Sequence, residues 1–288
     1  MIRALLIGAA FAVVAFPATA QSEPNGGTVA VNGMELYYEV SGEGAPLIVL
    51  HGAYMNIPSM GEIIPMLAET HTVYALEFQG HGRSTDIDRP ITYPNLADDV
   101  AAFMDAVGLE QADVVGYSMG GSAGVQLAIR HPERVGRLAV ISGAAFSISG
   151  FQPEFIEMIP SMVPEMFIGT PMEDAYRELA ADPDGFPALV EKLIALEHEP
   201  LEWREEVEAL DLPVLVIAGD SDVVTVEHTV AFFRLLGGGI MGDMGTPLPD
   251  ARLAILPGTS HTAVITQPDL LHALIEPFLQ GETPAGFM

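Results

Sequence analysis

The chain has 288 residues, 49% of them apolar, enough for one large α/β domain with a full core. It carries 11 Lys and Arg against 39 Asp and Glu, a formal charge of −28, so its surface should repel nucleic acid and anionic membranes. It has no cysteine, which excludes disulfides, thiolate zinc sites and a cysteine nucleophile.

The first 20 residues have the parts of an export signal. Arg3 gives a positive start, 4–16 is an apolar run, and Ala18-Thr19-Ala20 is a small-residue cleavage site. The run is too short to span a bilayer comfortably. No cysteine follows it to take a lipid. The mature chain is therefore expected to be exported (periplasmic or secreted), to begin near Gln21, and to have no stable membrane anchor.

Residues 28–40 alternate apolar and polar around Asn32-Gly33, which predicts a hairpin. Ser41-Gly42-Glu43-Gly44 is a loop. Continuous apolar runs at 46–50, 72–76, 114–117, 138–142, 213–218 and 252–256 predict strands buried on both faces. Between them, 57–69, 93–107, 118–131, 227–236 and 268–279 read as helices. This alternation predicts an α/β fold with a mostly parallel sheet flanked by helices, and ligands outside the carboxyl ends of its strands.

Two segments interrupt the alternation. Residues 144–203 lack a strand signal and are rich in Met, Phe, Pro and Glu, as a helical cap over the strand ends would be. The core then comprises 21–143 and 204–288. Met158, Met162, Met166 and Met172 are each expected to pack between cap helices, while the cap as a whole lines a pocket for an apolar ligand. Residues 237–249 are a Gly-rich excursion before the last strand, expected as a loop.

The chemistry centres on Gly116-Tyr117-Ser118-Met119-Gly120, a G-x-S-x-G sequence between an apolar run and a helical segment. That context suits a strand-to-helix turn that pushes the serine Oγ outward. A serine needs a base, and the base needs a carboxylate to orient it and stabilise its charge. In hydrolases with this turn the order along the chain is Ser, acid, His. Asp222 and Asp220 both lie just past the predicted strand 213–218, with Asp220 readable as a turn residue. His261 follows the last strand and a turn at 257–260, on the rim that carries Ser118. The other seven histidines fit less well: His131 caps a helix, His71, His198 and His272 fall in helical segments or at their edges, His228 opens a helix near Asp222, and His51 and His81 lie in the His51-Gly52 and Gly80-to-Ser84 motifs, with His81 read as a buried turn residue. The oxyanion donors are expected to be the backbone N–H of Met119, after the nucleophile, and that of Ala53, in His51-Gly52-Ala53-Tyr54. Tyr54 and Tyr117 stand beside them as expected substrate contacts. Asp182-Pro183-Asp184-Gly185 is too short for a calcium loop and no phosphate-binding loop occurs, so neither metal nor cofactor is expected.

Taken together, His51-Gly52, Gly80-His81-Gly82-Arg83-Ser84, Gly116 to Gly121, Gly219 to Asp222 and Gly258 to His261 make the mature chain resemble the α/β-hydrolase superfamily. The resemblance implies an eight-stranded, mostly parallel sheet, a cap inserted after the sixth strand, and a Ser118-Asp222-His261 triad. Its spacing favours Asp222 over Asp220. One departure is Glu77-Phe78-Gln79, where the superfamily usually has an aspartate and a basic residue, which implies an altered ion pair at a structural turn. A serine rather than an aspartate at 118 disfavours dehalogenase and epoxide-hydrolase chemistry. The implied activity is hydrolysis of a small apolar carboxylic ester or lactone. The same triad would also serve a proline-iminopeptidase-like aminopeptidase, a carbon–carbon bond hydrolase or a cofactor-free haloperoxidase (perhydrolase). The acidic cap residues Glu154, Glu157, Glu165, Glu173 and Asp174 keep the aminopeptidase open, although most are expected on a solvated face. A non-catalytic binding protein would normally show a broken triad, and here all three positions are filled.

Overall fold

The computed structural model describes residues 25–243 and 248–283. The expected export signal and cleavage site lie outside these residues, as does part of the Gly-rich excursion.

The chain opens with a hairpin of β1 (Asn25–Val31) and β2 (Met34–Ser41). Asn32 and Gly33 both take positive φ, 47° and 90°, the pair of left-handed residues that a tight hairpin turn requires. There follow β3 (Ala45–Leu50), α1 (Ile63–Leu67), β4 (His71–Leu76), α2 (Tyr93–Val107), β5 (Ala112–Tyr117), α3 (Met119–Arg130) and β6 (Val135–Ile141). The next four helices are α4 (Pro153–Met158), α5 (Pro171–Leu179), α6 (Phe186–Glu197) and α7 (Arg204–Glu208). The chain closes with β7 (Val214–Ser221), α8 (Val226–Leu235), β8 (Ala251–Ser260), α9 (His261–Val264) and α10 (Pro268–Leu279).

The eight strands form one sheet in the order β1-β2-β4-β3-β5-β6-β7-β8. β2 runs antiparallel to β4, and every pair from β4 to β8 is parallel. Central strands bury alternate side chains on opposite faces. Leu47 and Val49 of β3 join Leu67, Ile275 and Phe278 beneath α1 and α10. Ile48 and Leu50 join Leu96, Phe103, Leu127 and Phe232 beneath α2, α3 and α8. Each such side chain contributes roughly 1.5–3 kcal/mol by leaving water, which is why these runs read as continuously apolar.

Four readings change. Residues 57–69 are not one helix but a 3-10 turn, Ile57–Met60, followed by α1; Asn56 caps the turn, and the chain reverses at Gly61. His71 is not at a helix edge: it opens β4, buried, with Nδ1 2.8 Å from the Thr70 hydroxyl. Residues 257–260 are strand rather than turn. A bulge between Gly219 and Ser221 lets β7 and β8 pair again at Ser221 and Ser260, and an edge strand tolerates Pro257. Finally, Met158, Met166 and Met172 are 40%, 51% and 45% exposed, so these three are not core packing between cap helices.

Two ion clusters brace the loops after β4. Fully buried Glu77 takes a two-pronged contact from Arg83, with Nη2 at 2.6 Å and Nε at 3.1 Å, and accepts the Arg83 backbone N–H at 2.6 Å. Gln79 accepts from Arg89 at 2.6 Å and 3.0 Å, and Arg89 clamps buried Asp99. Replacing Arg83 by Met strands the Glu77 carboxylate in the interior. Urea unfolding should show about 3 kcal/mol of lost stability, and the Glu77→Gln/Arg83→Met double variant should recover part of it.

Candidate active site

Four strand ends, those of β3, β5, β6 and β7, are set level by the sheet register. Gly116 pairs with Leu50, Tyr117 with Ile141, and Ile141 with Ile217. The chain leaves β5 through Ser118 at φ 52°, ψ −119°, and enters α3 one residue later. A non-glycine residue in that region stores roughly 1–3 kcal/mol, so the surroundings must hold it. They do: the Ser118 N–H donates to the Ile141 carbonyl at 2.8 Å, and the Ser118 carbonyl accepts from Ser122 N–H at 3.0 Å. A Cβ on Gly116 would strike the Gly120 carbonyl, and one on Gly120 would meet the Leu50 carbonyl. The flanking glycines therefore let β5, α3 and β3 close on the turn.

Ser118 Oγ lies 2.9 Å from His261 Nε2, and His261 Nδ1 lies 2.6 Å from Asp222 Oδ1. His261 is the first residue of α9, directly after β8, and Tyr117 donates its hydroxyl to the His261 carbonyl at 2.9 Å. Asp222 follows β7 and is buried. Its Oδ2 accepts from the Ser142 hydroxyl at 2.5 Å and the Gly219 N–H at 3.3 Å, and its Oδ1 from the Val223 N–H at 2.7 Å. Burial pushes this carboxyl upward, but His261 and these donors outweigh it and hold it below the usual carboxylate range. Asp220 is exposed and points elsewhere. Its two oxygens accept the Gly258 and Thr259 N–H groups at 2.8 Å and 3.1 Å, tying β7 to β8.

Ala53 and Met119 line the same cavity as Ser118. Met119 opens α3, where a backbone N–H lacks an intrahelical acceptor. The Ala53 loop is fixed by His51. Its Nε2 accepts the Phe78 N–H at 3.1 Å, so Nδ1 carries the proton and donates to the Gly52 carbonyl at 2.7 Å. Burial lowers His51 to about 4 and His81 to about 3, so both are neutral structural groups. His228 is likewise buried and lowered to about 4, stacked 3.9 Å from the Phe146 ring. His131 caps α3 and meets Asp98 at 2.8 Å.

The cavity measures about 260 Å³. Its walls include Ala145, Phe151, Phe155, Val223 and Val224, together with Met162 and Met172 of the segment between β6 and β7. Tyr54 and Tyr117 also line it. Tyr54 takes φ 61° and stacks on Phe167 at 4.9 Å, and its hydroxyl is buried without a hydrogen-bond partner. Among the acids named from sequence, Glu154, Glu157, Glu165 and Asp174 face solvent, and Glu173 binds Arg177. The carboxylate that does line the cavity is Glu197, the last residue of α6, which sequence reasoning missed. The signal was present: Glu197 lies four residues after Leu193 and seven after Val190, on the apolar stripe of its helix. Ser142, which holds Asp222, had no such signal.

Burial raises Glu197 to about 7, with His261 the one opposing influence. Between the ordinary carboxylate range and pH 7 the folded protein thus binds more protons at this site than the unfolded chain. The stability this gives is present at low pH and lost as pH rises through about 7. Glu197→Gln should therefore gain melting temperature relative to wild type between pH 5 and pH 8, as followed by circular dichroism.

The family model described as the alpha/beta hydrolase fold matches residues 45–177. The chain is 31% identical over 205 residues to a 2-hydroxymuconate semialdehyde hydrolase of Pseudomonas sp. strain CF600, covering 64% of this chain and 72% of that one. It is 26% identical over 268 residues to a pimeloyl-[acyl-carrier protein] methyl ester esterase of Yersinia enterocolitica, covering 85% and 98%. The crystal structure of an enol-lactonase from Burkholderia xenovorans LB400 superposes with a TM-score of 0.66 at 23% identity, covering 88% of this chain and 99% of that one. With the eight-strand order, the serine at the β5–α3 turn and these matches in agreement, the chain belongs to the α/β-hydrolase family.

Proposed function

We propose that the protein is an exported serine hydrolase that cleaves a small apolar carboxylic ester or lactone through an acyl-enzyme on Ser118. The observation that carries this reading is the continuous relay from Asp222 through His261 to Ser118, at 2.6 Å and 2.9 Å, opening into an apolar cavity. His261 Nε2 takes the proton as Ser118 Oγ attacks the carbonyl carbon. The resulting imidazolium is stabilised by Asp222, which stays ionised. The N–H groups of Met119 and Ala53 receive the developing oxyanion. His261 then protonates the departing alcohol oxygen. Water, deprotonated by His261, attacks the acyl carbon, and Ser118 leaves with that proton.

Esters and lactones suit the site because an alkoxide leaves more readily than an amide nitrogen or a carbanion, and His261 supplies the one proton it takes. The names of two matched proteins, a methyl ester esterase and an enol-lactonase, agree with that class. The expected export signal supports a reaction outside the cytoplasm.

A fluorophosphonate probe at neutral pH should label Ser118 in the folded protein, and an unlabelled Ser118 defeats the reading. Ser118→Ala and His261→Ala should each lower kcat on p-nitrophenyl esters by on the order of 10⁴-fold or more, with little change in melting temperature. Asp222→Asn should lower kcat by about 10⁴-fold. Asp220→Asn should act mainly on stability, because its carboxylate serves backbone N–H groups; the opposite pattern reverses the assignment of the acid.

A further inference from the structure

We propose that Glu197 makes the catalytic cavity selective for substrates carrying a positively charged nitrogen, and against substrates ending in a carboxylate. This rests on the serine-hydrolase reading above and narrows its substrate to an ester or lactone whose apolar body carries a cationic nitrogen. Of the residues lining the cavity, Glu197 is the one carboxylic acid, and His261 is the one other ionisable group apart from the tyrosine phenols.

Folding alone gives little reason for a carboxylate there. Glu197 is half-buried in line with the apolar stripe of α6, which carries Val190, Leu193 and Leu196, where an apolar side chain would pack. It is also at the carboxyl end of that helix, where the helix dipole disfavours negative charge. It has no Lys or Arg partner among the described residues. A buried charge without a partner is costly. Such a group in a cleft beside a nucleophile is a candidate for ligand contact.

Its neighbours identify the ligand chemistry. The Glu197 charge is felt by the phenols of Tyr54 and Tyr93 and by His261. Both tyrosines line the cavity. The Tyr54 hydroxyl has no hydrogen-bond partner. Aromatic rings beside a carboxylate form a surrounding that attracts ammonium groups, and within a water-poor cavity salt screens that attraction weakly. A cationic substrate restores a partner to Glu197. A neutral substrate binds most easily when Glu197 is protonated. An anionic substrate must in addition leave its own charge unpaired.

The test uses charge-matched esters at pH 8. On the acyl side, p-nitrophenyl 4-(trimethylammonio)butanoate is compared with its carbon isostere, p-nitrophenyl 5,5-dimethylhexanoate, and with the p-nitrophenyl monoester of adipic acid. On the alcohol side, butyrylcholine is compared with 3,3-dimethylbutyl butyrate. In one of the two series, wild type should show kcat/KM at least tenfold higher for the cation than for its isostere, and the adipate monoester should fall below the 5,5-dimethylhexanoate. Glu197→Gln should bring the cation-to-isostere ratio to about two or less. Glu191→Gln, an exposed acid on the same helix, should leave it as in wild type. A wild-type ratio near one in both series overturns the proposal. So does a preference that survives in Glu197→Gln, which would belong to the protein's overall charge of −28. Turnover of the neutral isosteres with Ser118 labelled keeps the hydrolase reading intact in either case. If no ester is turned over, calorimetry of butyltrimethylammonium on Ser118→Ala decides the point: binding that weakens at least tenfold in Ser118→Ala/Glu197→Gln supports the cation site, and no binding overturns it.

Discussion

The backbone at Ser118 is held where a serine does not rest by choice, and much of the site is arranged around that position. With φ at 52°, the turn between β5 and α3 is stable only because three elements approach it closely. β6 supplies the Ile141 carbonyl to its N–H, and Gly116 and Gly120 admit backbone where any side chain would collide. The Oγ that results is carried by rigid main chain rather than by a mobile side-chain rotamer. The first turn of α3 is thereby aimed at the same cavity. A single strained residue fixes both the hydroxyl and a neighbouring helix N-terminus.

Around this turn the charges are kept apart by how each is solvated. Asp222 is buried yet remains ionised, because Ser142, Gly219, Val223 and His261 all serve its oxygens. Glu197 is half-buried without such service, and its carboxyl rises to about 7. The two acids are chemically alike. Their environments alone hold one ionised against His261 and leave the other without a partner. Glu77 shows a third solution, in which Arg83 answers a carboxylate that is wholly inside.

The helices between β6 and β7 share one hydrophobic cluster with the sheet, through Phe186, Leu189, Val190 and Leu193, and add specific polar contacts. Lys192, the only lysine, binds Asp86 from α6 at 2.7 Å. The Ala181 N–H donates to the Gly82 carbonyl, and the Gln152 N–H to the Val223 carbonyl after β7. The outer side of this segment exposes Met158, Val163, Met166, Ile168 and Met172, while Met162 and Met172 also reach the cavity. Flexible thioethers thus form part of the cavity wall, where they can adapt to an irregular apolar shape.

Strand and helix order was legible in the chain because buried parallel strands require unbroken apolar runs, and these stand out at 46–50 and 213–218. The hairpin was legible from Asn32-Gly33, and the serine turn from its flanking glycines. The order Ser118, Asp222, His261 followed from strand ends in sequence. What only the tertiary structure decided was direction and partnership. Asp220 and Asp222 are two residues apart, and the bulge in β7, with the Gly258 and Thr259 N–H groups across it, turns one toward β8 and the other toward His261. Ser142 reaches Asp222 because β6 lies between β5 and β7, a neighbour relation that no local pattern encodes. Glu197 entered the cavity because α6 folds back over strand ends that lie far from it in the chain. Sequence specifies which groups are present and which elements carry them. Long-range packing sets which groups share a space, because distance in the chain says nothing of distance across a sheet.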